Sequence, residues 1–295
     1  MRLNKLLLIA FFSIPVIGFG QGNESKWDAG LKLGGANGET AIGGTQLSQV
    51  RWDVGFYIRY KLSNAFSLAG NFDVIRIQGF DSLSSEESKK IRNLNYRNNI
   101  FEGSVRLEWN FYQNPDVGGG LAYNTTFDAY LFAGIGIFHM NPQAEVTESN
   151  PSPPLTFGEY ISLRNLKTEG ESKPYKLVQP SVPFGIGCYY TFHKKTRLGL
   201  ELAWTRTFTT YLADVSGKYP PSFSQYKYFT DQTQYVPGLT PAQYEEAYPG
   251  SPRGDGKDGS ILTGAITIGF IINNKPPSNA RRHPFENTYR SKASF

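Results

Sequence analysis

Cysteine is almost missing from this chain. Cys188 stands alone, which excludes an internal disulfide framework and any zinc site built on cysteine pairs. Methionine occurs twice and histidine three times. Charged residues make up only 19% of the 295, and the formal net charge is +5. Lysine and arginine are scattered, so the excess is too mild and too dispersed for a nucleic-acid surface. Past the N-terminus no apolar run approaches the ~20 residues of a helical membrane span. Glycine (31), tyrosine (18) and phenylalanine (21) are abundant, a mix that suits strands and turns better than a helical bundle.

Residues 1–20 have the three parts of a secretory signal. Arg2 and Lys5 give a positive start, 6–17 form a short apolar core, and Gly18 and Gly20 precede a cut before Gln21. No cysteine follows that cut, so a lipid-anchored N-terminus is not expected. The expected mature protein leaves the cytoplasm.

The dominant pattern in the rest has period two. Trp52, Val54, Phe56, Ile58 and Tyr60 alternate with Arg51, Asp53, Gly55, Tyr57 and Arg59, Tyr57 being the exception in the polar set. Phe101, Val105, Leu107, Trp109 and Phe111 alternate with Glu102, Ser104, Arg106, Glu108 and Asn110. The same holds near 27–34, 182–192, 198–205 and 262–270, and more weakly near 65–77 and 127–139. These are eight strands, each near the ~9–11 residues that cross a bilayer at a tilt. One face is continuously apolar and the other mixes charge with glycine. That is the requirement of a membrane barrel, which must close because open edges leave unpaired backbone groups in lipid. The expected fold is therefore all-β: an eight-stranded antiparallel transmembrane β-barrel over 21–272. A ten-stranded version, with strand extensions in 209–260, stays open.

Short connections (61–64, 112–126, 193–196) alternate with long ones (34–50, 78–95, 141–180, 209–260). Short periplasmic turns and long external loops are expected to do so, which places both chain ends in the periplasm. Trp27, Tyr60, Phe66, Trp109, Phe111, Phe127, Tyr190, Phe192 and Phe270 fall at the turn-side strand ends, where an aromatic belt belongs. By parity Arg51, Asp53, Arg59, Glu102, Arg106, Glu108 and Glu201 point inward. Their mixed signs suit a plugged interior rather than a pore.

Loop 209–260 carries Tyr211, Tyr219, Tyr226, Tyr228, Tyr235, Tyr244 and Tyr248 among prolines, good material for contact with a partner. The segment 273–295 is basic, with Lys275, Arg281, Arg282, Arg290 and Lys292 against Glu286, and could meet an acidic partner. His139, His193 and His283 lie on different elements without metal spacing, and only His139 with Glu145 resembles the start of a catalytic pair. No cofactor, metal or enzymatic activity is expected. Arg253-Gly254-Asp255 is an adhesion-like tripeptide of the kind that turns produce by chance, and Asn124 opens a glycosylation sequon to which nothing is attached.

Four segments resemble the PorG-like outer-membrane barrels of Bacteroidota, a family linked to the type IX secretion system. They are 130–144 (YLFAGIGIFHMNPQA), 166–170 (LKTEG), 183–187 (PFGIG) and 206–217 (RTFTTYLADVSG). The resemblance covers about 95–270, with Asp214 to Gly217 its most specific part. It implies a non-enzymatic component of the secretion machine, and of gliding in some hosts, that associates with the periplasmic ring lipoproteins. The candidate partner contacts are Tyr211, Asp214, Ser216, Gly217, Tyr219, Arg281 and Arg282. The alternative is a surface binding or adhesion barrel acting through its tyrosine-rich loops.

Overall fold

The computed structural model describes residues 26–44, 46–115, 125–148, 154–192, 195–221, 227–236, 238 and 250–272. The expected signal segment, the basic segment 273–295 with Arg281, Arg282 and His283, and Asn124, His193, Tyr226, Tyr244 and Tyr248 lie outside the described residues.

Eight strands form the wall: β1 (Trp27–Glu39), β2 (Arg51–Lys61), β3 (Phe66–Phe80), β4 (Asn95–Pro115), β5 (Thr125–His139), β8 (Val178–Phe192), β9 (Thr196–Thr207) and β10 (Ser260–Ile272). Each pairs antiparallel with its neighbours, and the β1–β10 ladder, from Trp27 against Ile272 to Glu39 against Ser260, closes the ring. The result is a closed eight-stranded antiparallel barrel. Two further strands, β6 (Pro142–Glu145) and β7 (Tyr160–Ser162), continue from the top of β4 and do not enter the wall. The extra strands thus fall in the third long loop; among the described residues of 209–260 there is only an isolated bridge between Lys218 and Pro252.

The strands outrun the alternation that revealed them. In β4 the apolar-outward pattern covers 101–111, yet the β3–β4 ladder continues to Phe80 against Asn95. Above Phe101 the outward positions are Asn99 and Arg97, so hydrophobic periodicity stops while backbone pairing goes on. The change marks the edge of the lipid-facing band.

Below that edge the usual soluble arrangement is inverted. Leu202 is 59% exposed on the outside, whereas Glu102 is 1% exposed within. A continuous apolar exterior of this size, wrapped round buried charge, is suited to lipid and not to water. At the turn end, Trp27 packs on Tyr60 and Tyr190 on Phe192, each pair with ring centroids 4.6 Å apart. Ten residues separate Phe66 in this belt from Arg76 on the same face of β3. At about 3.4 Å per residue and a tilt of about 40°, they span about 26 Å, close to the roughly 25 Å apolar band of such barrels. No helix among the described residues is long and apolar enough to cross a membrane.

The interior has two zones. The middle and turn end hold charge and aromatic rings. The loop end holds an apolar cluster in which Ile75, Ile77, Ile100, Phe138 and Ile261 from the strand tops meet Ile42 and Leu212 from the first and fourth loops. A short helix α1 (Glu87–Arg92) in the second loop ends on Asn93 in the left-handed region at φ 54°, with Ile91 buried beneath it. A single turn α2 (Lys227–Thr230) lies in the fourth loop.

Candidate functional site

Charge fills the barrel in connected pairs. Lys32 lies 2.6 Å from Asp73 and 3.6 Å from Glu201. Arg106 reaches Glu201 at 2.7 Å and Asp73 at 3.5 Å. Arg59 meets Glu108 at 2.6 Å and Asp28 at 3.5 Å, and Asp28 also pairs with Arg197. Ser181 donates to Glu102 at 2.7 Å, and the Tyr130 hydroxyl donates to Glu201 at 3.1 Å.

Aromatic rings fill the space between these pairs. The Arg59 guanidinium sits 5.0 to 5.1 Å from the rings of Tyr57, Tyr130 and Tyr189, and Arg106 lies 4.8 Å from that of Phe132. These large inward rings fit because glycine faces them across the ladder. Tyr130 pairs with Gly187, and a Cβ there would lie 2.3 Å from the ring. Tyr57 pairs with Gly30, and its hydroxyl would lie 2.2 Å from a Cβ on Gly269. The inward glycines are therefore occupied space, not lumen.

Of the residues expected inside, Asp53, Arg59, Glu102, Arg106, Glu108 and Glu201 are buried there. Arg51 stands apart from them: it lies at the strand top and donates to the Val50 carbonyl at 2.8 Å and the Ser48 carbonyl at 3.4 Å. Its parity is inward, but the first loop offers carbonyl acceptors before the interior does. Asp28, Lys32, Asp73, Asp128 and Arg197 were missed, although the parity rule extended to β1, β3, β5 and the start of β9 reaches them. Tyr130 and Tyr189 were missed too, and the pairing of aromatic with glycine was their signal.

Above this zone the loops fold into a cap. Arg253 is its centre and is 2% exposed. It donates to the carbonyls of Asp214 at 2.8 Å and Phe229 at 3.1 Å, to the Thr168 hydroxyl at 3.1 Å and to Glu169 at 3.3 Å. Glu169 in turn accepts from the backbone N–H groups of Ser216 at 2.7 Å and Gly217 at 3.0 Å. Asp214 adopts φ 59° and accepts from Thr168 at 2.6 Å and Tyr175 at 2.7 Å. Burial raises the Asp214 carboxyl to about 6, against the lowering effect of Arg253, Thr168 and Tyr175. Arg92 donates to Asp81 at 2.7 Å and to the Ala41 carbonyl at 2.7 Å, and also bonds the Arg253 carbonyl. The Tyr228 hydroxyl accepts from Thr147 at 2.9 Å and Glu148 at 3.2 Å, tying the fourth loop to the third.

The cap changes how the expected partner contacts are seen. Asp214 and Tyr219 are buried: Asp214 accepts from Thr168 and Tyr175, and the Tyr219 backbone pairs with Ser251 and Gly250. Tyr211 stacks on Tyr175 at 4.8 Å, and Ser216 and Gly217 are half-buried over Glu169. The tripeptide 253–255 hides its arginine, so it does not present the adhesion motif. His139 lies beside Phe101, ring centroids 6.4 Å apart, while Glu145 accepts instead from the Tyr160 hydroxyl at 2.7 Å. No group of histidine, cysteine and acidic residues able to hold a metal occurs among the described residues.

A closed ladder, an apolar exterior and a packed charged interior define a transmembrane β-barrel of the outer-membrane type. No family model matches the chain, and no curated protein matches it. Among solved structures it is similar in layout to Neisserial surface protein A, at 6% identity and a TM-score of 0.41, covering 83% of this chain and 97% of that one. It is also similar to the attachment invasion locus protein Ail of Yersinia pestis, at 8% identity and a TM-score of 0.38, covering 84% and 98%. OprG of Pseudomonas aeruginosa is similar at 8% identity and a TM-score of 0.37, again covering 84% and 98%.

Proposed function

We propose that this protein is a non-conducting, non-enzymatic outer-membrane scaffold that anchors or helps assemble the type IX secretion machine, and gliding machinery where the host has it. The observation that carries the scaffold reading is the double filling of the barrel. A permeation path would have to break the Arg59–Glu108 and Arg106–Glu201 pairs and then pass the apolar cluster round Leu212. The secretion role rests on the resemblance. Two of the segments that carry it meet in the cap, where Glu169 receives the N–H groups of Ser216 and Gly217.

In this reading the signal at 1–20 is cleaved, both termini face the periplasm, and the segment 273–295 with Arg281 and Arg282 docks on ring lipoproteins. The test is a pull-down of the tagged mature protein from outer membranes, with and without 273–295, read by mass spectrometry. Ring lipoproteins recovered with the full chain and lost with the truncation support the reading. A folded barrel recovered without them refutes it.

A second reading, a surface binding protein, is favoured by one feature. A cleft of about 500 Å³ opens between the second and fourth loops, lined by Lys89, Tyr219, Asp255 and Lys257 among others. Here trimming the fourth loop abolishes the phenotype and trimming 273–295 does not.

A further inference from the structure

The lipid-facing exterior carries charge where it meets the loops, and one sector concentrates it. Arg76 on β3 and Arg97 on β4 both face outward just above the apolar band. In the ladder Arg76 pairs with Asn99 and Arg97 with Gln78, so the two arginines are diagonal neighbours on one face. Such positions lie about 7–8 Å apart, within the reach of two guanidiniums converging on one group.

Both side chains are held in place. Arg76 lies 5.0 Å over the Trp52 ring and donates from Nε to Asn99 at 2.8 Å. Arg97 lies 3.3 Å over the Tyr160 ring and donates from Nη2 to Gln143 at 3.2 Å. Neither forms an ion pair among the described residues, and the buried Nε of Arg97 has no hydrogen-bond partner. Glu145, the acid on the adjoining β6, accepts the Tyr160 hydroxyl instead. A guanidinium has five N–H donors in a planar fork that matches a phosphate. Here most of those donors are unused, on side chains already ordered by aromatic rings. Across the barrel β9 offers only Arg206 above Trp204, so the sector is distinctive.

We infer that Arg76 and Arg97 form a binding site for the phosphate of an anionic lipid headgroup in the leaflet at the loop end. The aromatic rings hold the guanidiniums at headgroup level, and the acyl chains lie below against Trp52, Val74 and Phe101. The inference rests on the membrane-barrel architecture and is independent of the secretion role. Each basic group near a membrane surface contributes about a factor of five in affinity for anionic lipid, so losing both costs at least tenfold.

The test uses the full mature chain in phosphatidylcholine nanodiscs containing a minor fraction of bisphosphorylated lipid A. Retained lipid is counted by native mass spectrometry. The wild type is expected to keep lipid A and to release its dephosphorylated form. The variant R76Q/R97Q should lose at least tenfold in retention, whereas K218Q, a change of an exposed charge on the fourth loop, should match the wild type. Equal retention of phosphorylated and dephosphorylated lipid A by the wild type would overturn the site whatever the variants do. So would full retention by a folded, heat-modifiable R76Q/R97Q, or displacement of lipid A by millimolar inorganic phosphate.

Discussion

The barrel interior and the loop cap solve the same problem with opposite chemistry. Both close a space that would otherwise admit water. The interior does so with buried ion pairs laid against tyrosine rings, and the cap with an apolar cluster roofed by one buried arginine. The difference reflects their surroundings. Side chains inside the wall project from a fixed ladder, so opposite charges can be set face to face at fixed spacing. Loop side chains have no such frame, and their backbone must itself be bonded. That is why Arg253 donates to the carbonyls of Asp214 and Phe229, and Glu169 accepts from Ser216 and Gly217.

The largest expected effect lies in the wall. Arg59→Ala strands Glu108, leaves Asp28 with Arg197 alone and removes the cation between three tyrosines. Losing one partner of a buried pair costs about 3–5 kcal/mol. Urea unfolding of the reconstituted barrel, followed by heat-modifiable gel mobility, should show that loss. An unchanged midpoint would mean the interior is wetter and more forgiving than its packing implies.

The cap should yield separately. Arg253→Ala removes the donor from the Asp214 and Phe229 carbonyls and leaves Glu169 without its cation, at a cost of roughly 3 kcal/mol to loop order. Limited proteolysis should then cut the third and fourth loops while the heat-modifiable barrel survives. If the barrel unfolds with the cap, the two regions are one cooperative unit and the comparison fails.

A smaller effect concerns pH. The folded Asp214 carboxyl lies near 6, above the ordinary 3.8, because burial disfavours its charge. The folded cap therefore binds a proton more readily than the unfolded loops do. The Asp214 contribution to cap stability is fully present below about pH 4 and is lost as pH rises through about 6, by at most about 3 kcal/mol. Protease protection of the loops should increase on acidification across that window. Asp214→Asn should flatten the dependence, and an unaltered profile would assign it to another group.

These two regions also differ in how far the sequence discloses them. Alternation such as Phe101, Val105 and Leu107 against Glu102, Arg106 and Glu108 reveals the wall, because the ladder imposes its own period of two. Tyr57 looked like an exception to that pattern. It is a regular inward residue whose room comes from Gly30 and Gly269, on strands distant in sequence. The cap is opaque for a related reason. Its key contacts join Arg253 to Thr168, Glu169 and Phe229, and loop residues carry no periodicity that foretells such pairings. Asp214 and Tyr219 therefore read as partner contacts, although both are buried within the loops.

The central claim is that this barrel is filled at two levels and is not a passage. Conductance of the full mature protein in planar bilayers tests it most directly, with a cap-trimmed form lacking 215–255 alongside. The account predicts no stepwise current from either protein, since the charge network and most of the apolar cluster remain after 215–255 is removed. Sustained ohmic openings from the intact, heat-modifiable barrel would contradict it.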